Sequence, residues 1–382
     1  MRIIVTGDFC LCGRVEQLVL NGNHDHLYGD LLDALTDKDI SITNLECPLI
    51  IDPDPIDKSG PHLSANPACV KAIQYGQFDI VTLANNHIMD HGQKGLESTL
   101  QACKDVNVKT VGAGTDLESS AKPLLITERN GTIAILNFAE HEFSTATATS
   151  GGANPLDTVG NYYQIKYAKE NADIVLVIVH GGHEHFPLPS PRMMRTYRYF
   201  VDLGASAVIG HHSHCPSGYE IYHGAPIFYS LGNFIFEAEQ KDDDWHRGYF
   251  VKLDIEASGV RDMQLFPYEQ CKDQVGLRSM AHDQEECFLK HINRLCSIIA
   301  DERKVSQEWE RMVDMRTRYF LSALYSLGRG ARFLLKNRWL AKLVFLRKSL
   351  RKTSLLRLLN LVQCEAHRDV VVRIMRNMVG KR

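Results

Sequence analysis

Short, strongly apolar runs recur along this chain, and most of them stop at a cluster of glycine and polar residues. Runs of roughly four to eight apolar residues bounded by turn formers predict buried β-strands. The first is residues 2–6, closed by Gly7-Asp8. The second is residues 39–43, followed by Asn44-Leu45-Glu46-Cys47-Pro48. Residues 78–83 run into Ala84-Asn85-Asn86-His87. Residues 131–139 follow Asn130-Gly131, a hairpin dipeptide that predicts an antiparallel neighbour and so a mixed sheet. Residues 172–179 are the most apolar run and end in His180-Gly181-Gly182-His183-Glu184-His185. Ala207-Val208-Ile209 ends at Gly210, then His211, His212 and His214. Residues 219–222, 226–230, 248–255 and 260–266 predict further strands.

Helical windows at residues 27–36, 66–76, 93–106, 161–171 and 191–203 alternate with these strands, which is the pattern of an α/β fold. Asn66-Pro67 places proline early in its helix. Residues 52–62 form a Pro/Asp loop, either a lid or a plain connection. Residues 140–160 predict a polar, Gly-rich rim. From about residue 280 the apolar period becomes helical, as in Phe288, Ile292, Leu295 and Ile299. The expected division is residues 1–270 as an α/β domain and 271–382 as a basic helical region.

Charge sharpens that division. The 382-residue chain has a formal net charge of −3, yet residues Arg329 to Arg382 carry a net of +13 and the remainder −16. In this tail Val344, Phe345, Leu346, Leu350, Leu355, Leu356, Leu358 and Leu359 lie among Arg347, Lys348, Arg351, Lys352 and Arg357. Such a segment suits a membrane surface, or serves as a helical cap on the acidic body. Apolar crowding among the basic residues argues against nucleic acid. No run reaches the roughly 20 apolar residues of a membrane span, and no signal peptide is evident. The ten cysteines are scattered, with Cys10 and Cys12 forming only a C-x-C pair. Free thiols in a reducing compartment follow, and a cytoplasmic location, with peripheral attachment to the inner membrane face if the tail binds lipid.

Five strand ends carry residues of ligand type: Asp8, Glu46, Asn86-His87, His180, and His212 with His214. One aspartate after a strand is usually a turn or a helix cap. Five such ends in one sheet protein can meet on one edge and hold one or two divalent cations. If residues 212–214 are extended, His212 and His214 face the same side and grip one ion. Mixed O/N donors suit Mn, Fe or Zn better than Mg or Ca.

The ordered motifs Gly-Asp, Asn-Leu-Glu, Ala-Asn-Asn-His-x-x-Asp-x-Gly, His-Gly-Gly-His-Glu, Gly-His-His-Ser-His and Tyr-Ser-Leu-Gly-Asn-Phe resemble the CapA-type family of capsule and poly-γ-glutamate biosynthesis proteins. That family is related in fold to calcineurin-like metallophosphoesterases. The resemblance covers residues 1 to about 256. It implies a four-layer α/β/β/α sandwich followed by the helical C-terminal region. It assigns Asp8, Glu46, Asn86, His180, His212 and His214 as metal ligands and His87 as the acid or transition-state-stabilising histidine. Glu184 and Glu220 match other acidic positions, read here as orienting residues. Gly181 stands where the family has an aromatic, Ser213 where it has proline, and Cys215-Pro216-Ser217-Gly218 where an apolar run is usual. These departures leave the ligands in place and change the pocket wall.

The function this implies is a metal-dependent hydrolase or transferase in envelope-polymer synthesis. A metal lowers the pKa of a bound water to roughly 7 and supplies a nucleophile. The substrate would be an anionic polymer or phosphorylated molecule, cut at a phosphoester or γ-glutamyl amide. The alternative is a non-catalytic, membrane-associated component of a synthesis or export complex.

Overall fold

A computed structural model of the chain describes residues 1–128, 131–238, 242–324 and 352–379. The first strands are β1 (Arg2–Phe9), β2 (Ile40–Leu45), β3 (Ile80–Thr82), β4 (Lys109–Val111), β5 (Ala113–Gly114), β6 (Leu124–Glu128), β7 (Gly131–Ala139) and β8 (Gly152–Ala153). Then come β9 (Ile174–His180), β10 (Ala207–His211), β11 (Tyr219–Tyr222), β12 (Ala225–Phe228), β13 (Asn233–Ile235), β14 (Arg247–Glu256), β15 (Gly259–Gln270) and β16 (Leu277–Ser279). Helices α1 (Arg14–Leu20), α2 (His24–Tyr28), α3 (Val70–Tyr75), α4 (Gly92–Asp105), α5 (Leu117–Ser120), α6 (Thr158–Asn171) and α7 (Pro191–Asp202) connect them. After the strands follow α8 (His282–Ile299), α9 (Glu302–Leu324), α10 (Lys352–Gln363) and α11 (Glu365–Val379).

Two mixed sheets result. In the first, β1 to β4 run parallel, β14 to β16 extend it antiparallel beyond β1, and β13 pairs with the end of β1. In the second the order is β11-β12-β10-β9-β7-β6, with the four inner strands parallel and both edges antiparallel. Alternation along β1 decides the layers. Ile3 and Val5 meet Val177, Ile209 and other residues of the second sheet in one core, which also includes Ile165 of α6 and Phe200 of α7. Ile4 points the other way, into a core shared with Leu27, Ile73 and Leu96 from α2, α3 and α4. The layering is therefore helix, sheet, sheet, helix, as the resemblance implied.

Some local expectations need correction. The helix expected at residues 27–36 is α2 followed by two single 3-10 turns, Gly29–Leu31 and Asp33–Leu35. The antiparallel neighbour expected before residue 131 is, by contrast, present as β6, which pairs with β7; Asn130 itself lies outside the described residues. The long helical run near residue 300 splits at Asp301, whose Oδ1 accepts the Arg303 backbone N–H at 3.0 Å. Asp8 lies within β1, because β13 prolongs the pairing through Asp8 opposite Asn233. This needs Gly7: a Cβ there would stand 1.9 Å from the Gly232 carbonyl oxygen.

Helices α9, α10 and α11 share a third apolar cluster that includes Trp309, Met312, Leu361, Val370 and Ile374, with Phe186 of the body packed against it. Residues 352–379 thus sit on the body as a cap. Most of the basic apolar tail, including Val344, Phe345, Leu346, Arg347, Lys348, Leu350 and Arg351, lies outside the described residues. Among the described residues no helix is long and apolar enough to cross a membrane.

Candidate metal centre

The parallel strands of both sheets end on one edge, and there the sequence-predicted ligands meet. Asp8, Glu46, His180, His212 and His214 are all buried, at 0, 0, 2, 5 and 6 % exposure. Burying two carboxylates is costly unless a positive partner compensates. His180 Nε2 lies 3.5 Å and His214 Nε2 3.7 Å from Glu46 Oε1. His180 Nε2 is also 3.0 Å from Asn86 Oδ1 and 3.1 Å from His212 Nδ1. His214 Nδ1 stands 3.8 Å from Asp8 Oδ2, and the His212 backbone N–H donates to that oxygen at 3.1 Å.

Both Glu46 oxygens are buried without a hydrogen-bond partner among the described residues. Glu46 also belongs to two groups of convergent donor atoms, Glu46–His180–His212 and Asp8–Glu46–His214. The donor set therefore fits divalent cations, with Glu46 common to both groups. The electrostatics agree. Burial, then the neighbouring Asp8, pushes the Glu46 carboxyl well up from its usual range. Burial also opposes a charged Asp8, but His211, His180 and His214 outweigh it and hold that carboxyl down. Burial and His212 keep His180 neutral, and burial brings His214 down to about 4. Neutral imidazole is the ligand form.

His212 and His214 do not share a group, contrary to the extended-strand expectation. Both have positive φ, 90° and 55°. That left-handed backbone turns the chain and aims the two rings at different partners. The preceding His211 lies 3.2 Å from Asp8 Oδ1, out of line for a hydrogen bond.

His87 stands at the rim. Its Nδ1 is 2.7 Å from Asp90 Oδ2, and Lys58 Nζ lies 3.3 Å from the same nitrogen while pairing with Asp90. The Lys58 side chain is only 4 % exposed. Nothing in the 52–62 loop marked it, because its partners are 29 and 32 positions away. Two asparagines were also missed. Asn44 Nδ2 lies 2.7 Å from Asp8 Oδ1 and 3.2 Å from His180 Nδ1; Asn233 Oδ1 lies 2.9 Å from His214 Nδ1. Their only signal was membership in the Asn-Leu-Glu and Gly-Asn-Phe motifs.

Two acidic expectations come out differently. Glu184 lines the cleft over the site. Glu220 is not brought to the cluster: Arg198 Nε and Nη2 donate to its two oxygens at 2.9 and 2.8 Å, and Tyr229 donates at 2.5 Å. It fastens β11 to α7 and has no contact with a ligand residue, so the orienting role does not hold for it.

The cleft measures about 810 Å³. Asn86, His87, Glu184 and His214 line one side, while Ser354, Arg357, Asn360 and Leu361 of α10 and His367 of α11 form a wall across from them. The wall is fixed at the loop after β7. Glu140 pairs with Arg192, which also pairs with Asp369 at 2.5 Å, and Glu140 Oε2 accepts the Ala366 N–H at 3.1 Å. A carboxylate at a helix N-terminus satisfies free N–H groups and opposes the dipole. Gly181 makes room for this, since a Cβ there would stand 2.6 Å from Glu140 Cγ. Glycine at this position thus leaves the space that the Glu140 anchor of the C-terminal helices occupies.

Comparison with known proteins gives the family. The family model for the bacterial capsule synthesis protein PGA_cap matches residues 2–238. The capsule biosynthesis protein CapA of Bacillus anthracis is 32% identical over 281 residues, covering 70% of this chain and 67% of that protein. The PGA biosynthesis protein CapA of Bacillus subtilis is 34% identical over 214 residues, covering 54% of this chain; the chain spans 55% of its length. Among solved structures, the sulfate thiohydrolase SoxB of Thermus thermophilus, in complex with glycerol, aligns at 12% identity and a TM-score of 0.39, over 72% of this chain and 46% of that one. The chain belongs to the PGA_cap family of bacterial capsule synthesis proteins.

Proposed function

We propose that the protein is a metal-dependent hydrolase or transferase acting on an anionic envelope polymer or its precursor, at a phosphoester or γ-glutamyl amide bond. The observation that carries this reading is Glu46, a buried carboxylate with two unpartnered oxygens that two donor groups share. Asp8, Glu46 and His214 would hold one cation, and Glu46, His180 and His212 a second, with Asn86 beside His180. The mixed donors favour Mn, Fe or Zn. A bound cation supplies charge for a developing anion and acidifies a coordinated water.

The remaining work falls to the chain's own residues. Asn44 and Asn233 orient His180 and His214. His87, held by Asp90 and Lys58, faces the cleft and is placed to protonate a leaving group or to hydrogen-bond an oxyanion. Arg357 offers positive charge to an acidic substrate from the cap.

Elemental analysis of the purified protein, with a panel of phosphoester and γ-glutamyl substrates in added Mn, tests this reading. Turnover of one class, lost in His212→Ala together with the cation of the Glu46–His180–His212 group, is the expected result. Bound metal with no turnover of either class would favour a non-catalytic component of a synthesis or export complex. The +13 net charge from Arg329 to Arg382 favours that second reading, because it offers attachment to an anionic surface such as the inner membrane face.

A further inference from the structure

The strand ends that carry Asp8 and Glu46 also bring three thiols together. We propose that Cys10, Cys12 and Cys47 form a second, separate cation site that takes a soft, thiophilic ion, Cu(I) or Zn²⁺. The inference does not depend on the reaction proposed above.

Cys10 and Cys12 lie where the chain leaves β1, and Cys47 follows Glu46 beyond β2. Pairing of Phe9 with Leu45, and a 2.9 Å bond from the Glu46 N–H to the Phe9 carbonyl, fix the register between these ends. The three sulfurs lie within 4.8 Å of one another. Cys10 and Cys12 Sγ are 3.2 Å apart, well beyond the roughly 2 Å of a disulfide. All three are free thiols. Sulfurs bound to one ion at about 2.3 Å stand roughly 3.8–4.0 Å apart, within the spread the cluster already has.

A backbone donor supports the cluster. The Leu11 N–H points at Cys47 Sγ at 3.3 Å and fixes where that sulfur stands. Cys10 and Cys47 are 1 and 0 % exposed, while Cys12 is half-buried and gives an entry path. An all-sulfur set rejects Mg, Ca and Mn and selects Cu(I) or Zn²⁺. Cu(I) is satisfied by three thiolates; Zn²⁺ takes a fourth ligand, for which water can enter beside Cys12. Each thiol gives up its proton on binding. The bound ion would tie the loop after β1 to the loop after β2 and so fix the spacing of Asp8 and Glu46. Cys103, buried alone in helix α4, shows by contrast how a thiol serves simply as a small apolar side chain.

The test uses the full chain, reduced and anaerobic. Cu(I) is titrated against bicinchoninate and Zn²⁺ against a chromogenic chelator, and Co²⁺ reports sulfur ligation by its charge-transfer bands. One thiolate-bound ion per chain is expected, and the tighter of the two arms identifies it. Cys12→Ser and Cys47→Ser should each lower its affinity by roughly a hundredfold or more. Cys12 is half-buried, so its variant keeps the fold, which circular dichroism checks. Cys103→Ser should change nothing, and His212→Ala should release the cation held by Glu46, His180 and His212 while leaving the thiolate ion bound. Equal uptake by wild type, Cys12→Ser and Cys47→Ser, or no thiolate bands with any ion, overturns the proposal.

Discussion

The cleft has two walls of different physical kinds. One is the strand-end cluster, where Asp8, Glu46 and His180 are held by the backbone of a buried sheet. The other is the C-terminal cap, held to the body by side-chain contacts: the Arg192 pairs, Phe186 against its apolar cluster, and more open ion pairs such as Lys352 with Asp57 and His141 with Glu365. A wall set by sheet register cannot shift without unpairing strands, so it suits chemistry that needs fixed atoms. A wall held by ion pairs can loosen locally at modest cost. In the proposed function the cluster would therefore be the part that reacts, and the cap the part that selects.

The largest effect expected is at the cluster. Glu46→Gln keeps shape and volume but removes the charge both donor groups share. Several kcal/mol of charge stabilisation disappear, so turnover should fall on the order of a thousandfold and metal content should drop with it. Activity assays paired with elemental analysis check this. Undiminished metal in the variant would mean that Glu46 is not a ligand.

The cap gives the next largest effect. Arg192→Ala leaves the buried Glu140 and the half-buried Asp369 facing each other without their cation. The cost is about 3 kcal/mol, concentrated at α11. Hydrogen exchange should accelerate about a hundredfold over residues 365–379 while β9 and β10 stay protected. Uniform acceleration across the molecule would mean that the cap and the sheets unfold as one unit.

The two walls also differ in how much of them could be read from the sequence. A ligand at the end of an apolar strand is marked by its position, so Asp8, Glu46, Asn86, His180, His212 and His214 could be named together. What was hidden depends on side-chain contacts across long separations. Lys58 sits in an irregular loop and meets His87 and Asp90 only after folding. The Cys10–Cys12–Cys47 cluster looked like an isolated C-x-C because its third thiol comes from the next strand. Glu220 matched an acidic position of the motif pattern alongside the candidate ligands, but Arg198 takes both its oxygens. For the tail, amphipathicity reads alike for a lipid surface and a protein one. Only the contacts of residues 352–379 decide for the protein surface there.

A smaller effect separates orienting residues from ligands. Asn44→Ala removes the amide between Asp8 and His180. Metal affinity should fall roughly ten- to a hundredfold, with the ligands themselves intact. Isothermal titration with Mn²⁺ measures it. An unchanged affinity would show that sheet register alone orients His180.

The smallest effect is a pH dependence of cap docking, and its sign follows from one pair. Glu365 accepts the His141 backbone N–H at 2.9 Å and lies 2.8 Å from its Nδ1. The bond to Glu365 raises His141 above its ordinary 6.5, against the effect of burial. Burial opposes a charged Glu365, but His141 outweighs it and holds the carboxyl below its ordinary 4.5. The raised histidine contributes fully below its ordinary value, and loses that contribution as pH rises through the raised one. The lowered carboxylate contributes above its ordinary value, and loses that as pH falls through the lowered one. Both contributions are complete only between about pH 4.5 and 6.5. His141 is 36 % exposed, so solvent screening keeps the amplitude below about 1 kcal/mol. Exchange protection of residues 365–379 should therefore be greatest in that window and weaken by a few-fold toward pH 8, with Glu365→Gln flattening the profile. A profile that keeps rising through pH 8 in the wild type would show that the cap is held by the Arg192 pairs and α10 alone, with His141 a bystander.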